Sequence, residues 1–193
     1  MNIVTQVITN IIVALYQYLG ISIVIAFLYM FFHHSIKTYG LINSVKKWIA
    51  EFRESWEFRS YFTLVIYVSL ILCRTVFCRE IWWNPVSNVL GSLNLYYSDG
   101  SLNTETIENV ILFIPFTFLM LLVLRRKVKG KYIWCSLKYS FELSIGIELT
   151  QIIFRVGTFQ LTDLCFNTLG GVLGGIAFWS WNRGRGKKKW EIE

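Results

Sequence analysis

The sequence predicts an all-α integral membrane protein, a polytopic bundle of about five transmembrane helices with its N-terminus outside and its C-terminus in the cytoplasm. The chain has 193 residues, of which 54% are hydrophobic and only 16% are charged. Its apolar residues form long runs, as membrane-spanning helices require, and its basic residues collect between those runs. A soluble domain of this size would carry more charged surface, so a single soluble core is disfavoured.

Five apolar segments are the candidate membrane spans. A bilayer span needs about 20 predominantly apolar residues, and each segment reaches or approaches that length. The third is short unless it extends back to Glu105. In chain order the segments are 11–32, 61–77, 110–124, 133–154 and 164–181.

The positions of lysine and arginine predict the orientation of the spans, because cytoplasmic connections carry an excess of these residues. The N-terminal tail has none, and the following connections have five, one, five, one and five. This alternation fits an N-terminus outside and a C-terminus inside. We attribute the net charge of +7 to loops that face anionic lipid, and we expect no nucleic-acid partner.

The first basic connection has a helical pattern of its own. Apolar and aromatic side chains recur every three or four residues from Val45 to Trp56, and charged residues fill the other faces. We expect a helix on the inner membrane surface, although the same face also suits a cytoplasmic partner. Residues 1–60 are therefore one span plus this helix, 61–181 form the main membrane domain, and 182–193 are a basic cytoplasmic tail.

A connection of about 30 residues, 78–109, is predicted to lie outside the membrane. Loops of this length are often functional, but its tryptophans and tyrosines also fit a flap anchored at the bilayer surface. Cys78 at its start and Cys165 both fall near the outer face, where a disulfide is compatible with the pattern. Free buried thiols are the favoured interpretation. The four cysteines lack metal-ligand spacing, so we expect no metal and no cofactor.

A stripe of polar side chains crosses the fourth span. Residues at this spacing share one helix face, and the stripe climbs from mid-membrane to the outer surface. An ionised side chain at the centre of a bilayer helix costs about 2.5 to 3.5 kcal/mol on insertion scales. The charged members of this stripe must therefore have a structural or functional role that offsets this cost. Its members are Ser144, Glu148, Gln151 and Arg155.

The fifth span repeats this spacing at its outer end, where Asp163 and Asn167 are followed by glycines. Glycines four residues apart let helix backbones approach closely, either within the chain or between two copies in a homo-oligomer. The connecting turn is short, so the fourth and fifth spans are predicted to form an antiparallel hairpin with facing polar stripes. The glycines are Gly170, Gly171, Gly174 and Gly175.

Two further polar residues fall at the same depth, Arg74 near the outer end of the second span and Asn109 at the outer start of the third. Pro115 lies further in. All these groups converge on the outer half of the membrane. They can neutralise one another and lock the bundle, or they can form an outward-facing functional pocket. We favour the pocket, because an ionisable residue inside a membrane is by default a functional hypothesis.

Taken together, these motifs resemble the VanZ family of small bacterial membrane proteins. The resemblance lies within 61–181, on ENVILFIPF, SIGIELTQ and TDLCFNTLGG, with Arg74 before the outer loop and LNLYY within it. Thr117 and Tyr96 stand where the family often has glycine and proline. The resemblance implies a role in low-level resistance to teicoplanin, a lipid-tailed glycopeptide antibiotic that acts at the outer envelope. No catalytic residues can be carried over from it, only the recurring polar positions.

The resulting hypothesis is a non-enzymatic envelope protein in contact with membrane lipid. Its outer site would bind a lipid-linked cell-wall component or a lipoglycopeptide. Arg74 and Arg155 would contact phosphate or carboxylate. The remaining polar side chains would orient these arginines or bind sugar or peptide; they are Glu148, Gln151, Asp163 and Asn167. The alternatives are an intramembrane enzyme with Glu148 and Asp163 as its acid/base pair, and a small transporter, for which no inverted repeat is evident.

Overall fold

The computed structural model describes residues 3–36, 41–77, 79–91, 96, 104–128 and 130–185. Over these residues the chain is helical apart from its connections, with one isolated antiparallel bridge between Ile81 and Val156. The α-helices are α1 (Ile3–Met30), α2 (Leu41–Glu54), α3 (Trp56–Leu72), α4 (Glu105–Val128), α5 (Tyr132–Phe154) and α6 (Leu161–Arg185). Short π-helical turns extend α1 over Phe31–Ile36 and α3 over Cys73–Phe77.

The helices confirm the predicted all-α bundle. Four segments are long and apolar enough to cross a membrane: Val4–His33, Trp56–Phe77, Glu105–Val128 and Leu161–Gly184. The third predicted span does extend back to Glu105, which makes α4 24 residues long. The count differs from the predicted five at α5. That helix has 23 residues, but Lys138, Glu142 and Glu148 break its apolar run.

The apolar core is built around α4. Its larger part lies where α4 meets α3 and α5, and it includes Ile71, Phe113 and Ile147. A smaller cluster at the other end of α4 joins Leu121 to Phe178 of α6. Because both clusters include residues of α4, this helix fixes the positions of α3, α5 and α6 along the bundle.

Close packing of α6 against α4 and α5 depends on glycine. A Cβ atom at Gly170 would overlap the carbonyl of Val110 on α4, and one at Gly171 would overlap the side chain of Ser140 on α5. Gly174 and Gly175 are confined in the same way. The four glycines therefore face helices of this same chain, and α5 and α6 form the antiparallel hairpin that the sequence predicts.

The helices α1 and α2 flank this bundle. α1 packs mainly on α3 and exposes most of its other side chains. On α2, Trp48 stacks on Phe52 with ring centroids 5.3 Å apart and meets Phe58 of α3 edge-on. Val45 and Ile49 remain exposed. The apolar face of α2 is thus shared between the bundle and the surface, as an interfacial helix requires.

The loop 79–91 lies along the turn that joins α5 to α6. The Trp82 amide donates to the Arg155 carbonyl at 2.6 Å, and the Leu161 amide donates to the Val89 carbonyl at 2.8 Å. Trp83 and Tyr96 are exposed, whereas Tyr97 lies outside the described residues. This loop closes one end of the bundle.

Among the cysteines that the structure describes, Cys73, Cys135 and Cys165 are free thiols, and Cys165 is exposed. Cys78 lies outside the described residues, so the question of its pairing with Cys165 does too.

Candidate functional site at one end of the bundle

Buried and half-buried polar side chains collect where the ends of α3 and α5 meet the starts of α4 and α6. We call them the polar cluster. They divide into two groups, because the neighbouring residues Glu108 and Asn109 on α4 point to different partners. The members of the polar cluster are Arg74, Glu108, Asn109, Ser144, Glu148, Gln151, Asp163 and Asn167.

The first group is an ion pair between Arg74 of α3 and Glu108 of α4. The two side chains are 21% and 8% exposed. The other carboxylate oxygen of Glu108 accepts bonds from Asn10 Nδ2 at 2.7 Å and Thr104 Oγ1 at 2.5 Å. The Glu108 carboxylate therefore accepts three hydrogen bonds from described side chains. Arg74 bonds only to Glu108 among the described residues, so most of its N–H donors stay available to a ligand.

A narrow apolar slot of about 150 Å³ opens beside this ion pair, between α1, α3 and α4. Pro115 has no N–H, so the carbonyl of Ile111 lacks its usual helical donor there. Apolar walls that end at a guanidinium suit a hydrocarbon chain that carries a hydrogen-bond acceptor. The slot is lined by Ile11, Tyr67, Leu70, Arg74, Glu108, Ile111, Leu112 and Pro115.

The second group holds two buried carboxyl groups, one on α5 and one on α6. Glu148 Oε2 accepts the backbone N–H of Gln160, and Asp163 Oδ1 accepts Asn109 Nδ2, both at 2.9 Å. Neither forms an ion pair with a described residue, so both rely on neutral donors. Asn167 Nδ2 donates to Ser144 Oγ at 2.9 Å, which joins α6 to α5 at the same end.

Two amide oxygens in this group have no donor. Gln151 Nε2 donates to the Thr75 carbonyl at 2.9 Å, but Gln151 Oε1 and Asn167 Oδ1 are buried without a hydrogen-bond partner among the described residues. A buried polar atom left unpaired costs about 1–3 kcal/mol. Two carboxyl groups and two unpaired amide oxygens make this region rich in acceptors, which suits hydroxyl, amino or amide donors of a ligand.

A second arginine lies at the edge of the polar cluster. Arg79 Nη2 pairs with Glu105 Oε1 at 2.9 Å, and its guanidinium rests on the turn at Gly157. Its charge lies near enough to Glu148 and Asp163 to act on both. Gly157 has φ of +73°, a conformation that glycine adopts without strain, and a side chain there would also collide with Arg79.

Seven of the eight polar residues singled out from the sequence fall within the polar cluster. The exception is Arg155, because α5 ends at Phe154 and Arg155 adopts the left-handed conformation with φ of 54°. Its side chain is exposed, outside the buried group. The envisaged mutual neutralisation of Arg74 with Glu148 or Asp163 is also absent from the described ion pairs. Arg74 pairs with Glu108 instead.

Sequence reasoning missed several partners of these residues. Glu108 was the most visible, since it directly precedes Asn109 and lies three residues after Glu105 at the start of an apolar run. Arg79 is the single basic residue of the connection 78–109, and the count of lysine and arginine treats it only as a loop charge. Asn10 comes from α1, and nothing in its surrounding sequence links it to α4.

Comparison with known proteins places the chain in a family. The model of the VanZ/LLP1 family matches residues 13–182, which extends beyond 61–181 to include most of α1. Protein VanZ of Enterococcus faecium is 40% identical over 87 residues, which cover 43% of this chain and 50% of that protein. The match thus spans half the length of that relative. No solved structure matches. On the extent of the family match, the chain belongs to the VanZ/LLP1 family.

Proposed function

We propose that this protein acts in the bacterial cell envelope and lowers susceptibility to teicoplanin or related lipid-tailed glycopeptides, with the polar cluster as its binding site. The family membership and the likeness to a Protein VanZ support the drug class. The observation that carries the site is the pair of buried carboxyl groups, Glu148 and Asp163, that have no described ion-pair partner. Retaining such groups in a membrane helix needs a compensating role.

The chemistry of the polar cluster supports an amphiphilic ligand. The acceptors around Glu148 and Gln151 suit sugar hydroxyls, amines or peptide N–H groups. The slot beside Arg74 suits a hydrocarbon tail joined to an acceptor group. A lipid-linked cell-wall component and a lipoglycopeptide both combine these features. Binding either one would change how the drug reaches its target, and no bond need be made or broken.

The polar cluster must face the outside for this role. The distribution of lysine and arginine supports that orientation, because the opposite end of the bundle carries Arg125, Arg126 and Lys127 at the end of α4. Cys165 is exposed near the polar cluster. In a variant that keeps only this cysteine, a membrane-impermeant thiol reagent should label it in intact cells. Labelling that occurs only after the cells are opened would show that Cys165 faces the cytoplasm, which contradicts the proposed orientation.

Drug susceptibility in strains with and without this protein tests the proposal. The comparison uses teicoplanin and vancomycin, which lacks the lipid tail. We expect the protein to raise the inhibitory concentration of teicoplanin and to leave that of vancomycin nearly unchanged. Equal susceptibility to teicoplanin in both strains, with the protein present in the membrane, would contradict the role in resistance.

A second candidate is an intramembrane enzyme that acts on lipid-linked substrates. The favouring observation is that Glu148 accepts the backbone N–H of Gln160, three residues before Asp163, so two buried carboxyl groups lie at the same end of the hairpin, where one could serve as acid and the other as base. Ser144, the nearest hydroxyl on the same face of α5, accepts a bond from Asn167 and makes no described bond to either carboxyl group. Turnover of a lipid-linked substrate by the purified protein, lost in Glu148→Gln, would decide for this candidate.

A further inference from the structure

Helix α5 carries charged residues on two opposite faces. Glu148 points inward to the polar cluster. Lys138 and Glu142 point outward, with side chains 58% and 55% exposed and with Lys138 Nζ 3.8 Å from Glu142 Oε1. Ser136, Ser140 and Ser144 mark the buried side of the helix, so Glu142 lies almost opposite to it.

The packing of three helices fixes the depth of this outward pair. Thr117 Oγ1 of α4 donates to the Gly171 carbonyl of α6 at 2.8 Å, and Gly171 lies against Ser140 of α5. Thr117 is at the middle of the span Glu105–Val128, and Gly171 is near the middle of Leu161–Gly184. Ser140 therefore lies level with the middle of both candidate spans.

Lys138 and Glu142 lie two residues on either side of Ser140. At the helical rise per residue this is about 3 Å along the axis. Charged side chains at this depth almost always face a protein interior or a partner, because exposing them to lipid is costly. In one copy of this chain they face outward, more than half of each side chain is exposed, and each forms its ion pair, among the described residues, with the other.

We propose that the outward face of α5 is the contact surface for a second copy of this chain, with Lys138 of each copy reaching Glu142 of the other. A two-fold axis along the membrane normal pairs two parallel copies of α5, so equivalent residues lie at the same depth and Lys138 of each copy lies about 6 Å along the axis from Glu142 of the other. The lysine side chain is long enough to span that distance diagonally, as interhelical ion pairs do between the flanking positions of parallel coiled coils.

The surroundings of the pair fit a helix–helix contact. Gly146, one turn beyond Glu142, has no neighbouring atom within 4 Å of the position that a Cβ would occupy, so another backbone can approach there. Leu149 and Ile153 continue the same face and are exposed. The glycines of α6 are unavailable for this purpose, since they are packed within the chain. The inference is independent of the proposed function.

Charge reversal in differently tagged copies tests the contact. Two full-length copies are expressed together in the membrane, and the fraction that purifies together in mild detergent is measured. We expect co-purification of wild-type copies, and a fall of about ten-fold when both carry Lys138→Glu or both carry Glu142→Lys, since two interhelical contacts are lost. A Lys138→Glu copy expressed with a Glu142→Lys copy should recover most of the signal.

Two controls separate this contact from effects on folding or insertion. Arg126→Glu makes the same change of charge at the end of α4 and should leave co-purification unchanged. The double variant Lys138→Met with Glu142→Leu removes both charges, which eases insertion, yet it should still lower co-purification below that of wild type because both interhelical ion pairs are lost. The proposal would be overturned if wild-type copies purified together no more than two unrelated membrane proteins do. So would a mixed pair no stronger than the like-charged pairs.

Discussion

Replacing Glu108 with leucine is expected to destabilise the folded protein by about 3–5 kcal/mol. The change leaves the Arg74 guanidinium largely buried without its counter-ion, and breaking one side of a buried ion pair has a cost of this size. Asn10 and Thr104 lose their acceptor at the same time. The loss should appear in thermal unfolding of the purified protein in detergent, followed by circular dichroism.

The double variant Arg74→Met with Glu108→Leu distinguishes an unpaired charge from lost packing. It removes both charges, so most of the lost stability should return. Glu57→Leu is the matched control. Its carboxylate pairs with Arg126 at 3.0 Å, but both side chains are mostly exposed, and exposed pairs contribute about 0–1 kcal/mol. Equal effects of Glu108→Leu and Glu57→Leu would show that the buried pair does not hold α3 to α4.

Gly171→Ala is expected to destabilise the bundle by about 1–3 kcal/mol, although alanine is the better helix former. The new methyl group would overlap Ser140 of α5 and crowd the methyl group of Thr117 on α4. Gly20→Ala is the matched control, since no atom lies within 4 Å of its Cβ position on α1. That change should be neutral or stabilising by about 0.5–1 kcal/mol.

Ser140→Gly provides a rescue that identifies the clash. Combined with Gly171→Ala, it vacates the space that the new methyl group needs, so part of the lost stability should return. Unfolding midpoints of the single and double variants measure this. If Gly171→Ala is as harmless as Gly20→Ala, then Gly171 of α6 is not in close contact with Ser140 of α5.

Much of the fold was predictable because helical periodicity is a local property of the sequence. The spacing of Ser144, Glu148 and Gln151 placed them on one face, and the spacing of Asp163 and Asn167 did the same on the next helix. The short turn between the two helices then required the faces to meet. Both steps depend on neighbours in sequence, and the Asn167–Ser144 hydrogen bond confirms their result.

The partners across long connections were not predictable in this way. Arg74 and Glu108 are separated by a long loop, and the contact depends on how α3 leans on α4. The exposed position of Arg155 depends on the end of α5, where the left-handed turn takes the side chain off the helical face. Local spacing continues the stripe through Arg155 and carries no information about where the helix stops.

The two charged faces of α5 could also be recognised only from the structure. From the sequence, Lys138 and Glu142 form an i, i+4 pair, which is a sufficient reason for their presence. Only the packing of Ser140 against Gly171 shows that this pair lies level with the middle of α4 and α6 and points away from the bundle. The i, i+4 pairing therefore does not by itself explain why Lys138 and Glu142 lie on the outward face near the middle of the bundle.

The most direct test of the polar cluster as the functional site is teicoplanin susceptibility of strains that carry Glu148→Gln, Asp163→Asn or the control Glu57→Gln. The membrane level of each variant is matched to wild type. We predict that the first two variants return susceptibility to that of a strain without the protein, because each changes a buried carboxyl group, while Glu57→Gln behaves as wild type. Full protection by Glu148→Gln and Asp163→Asn at wild-type levels would contradict the assignment of function to the polar cluster.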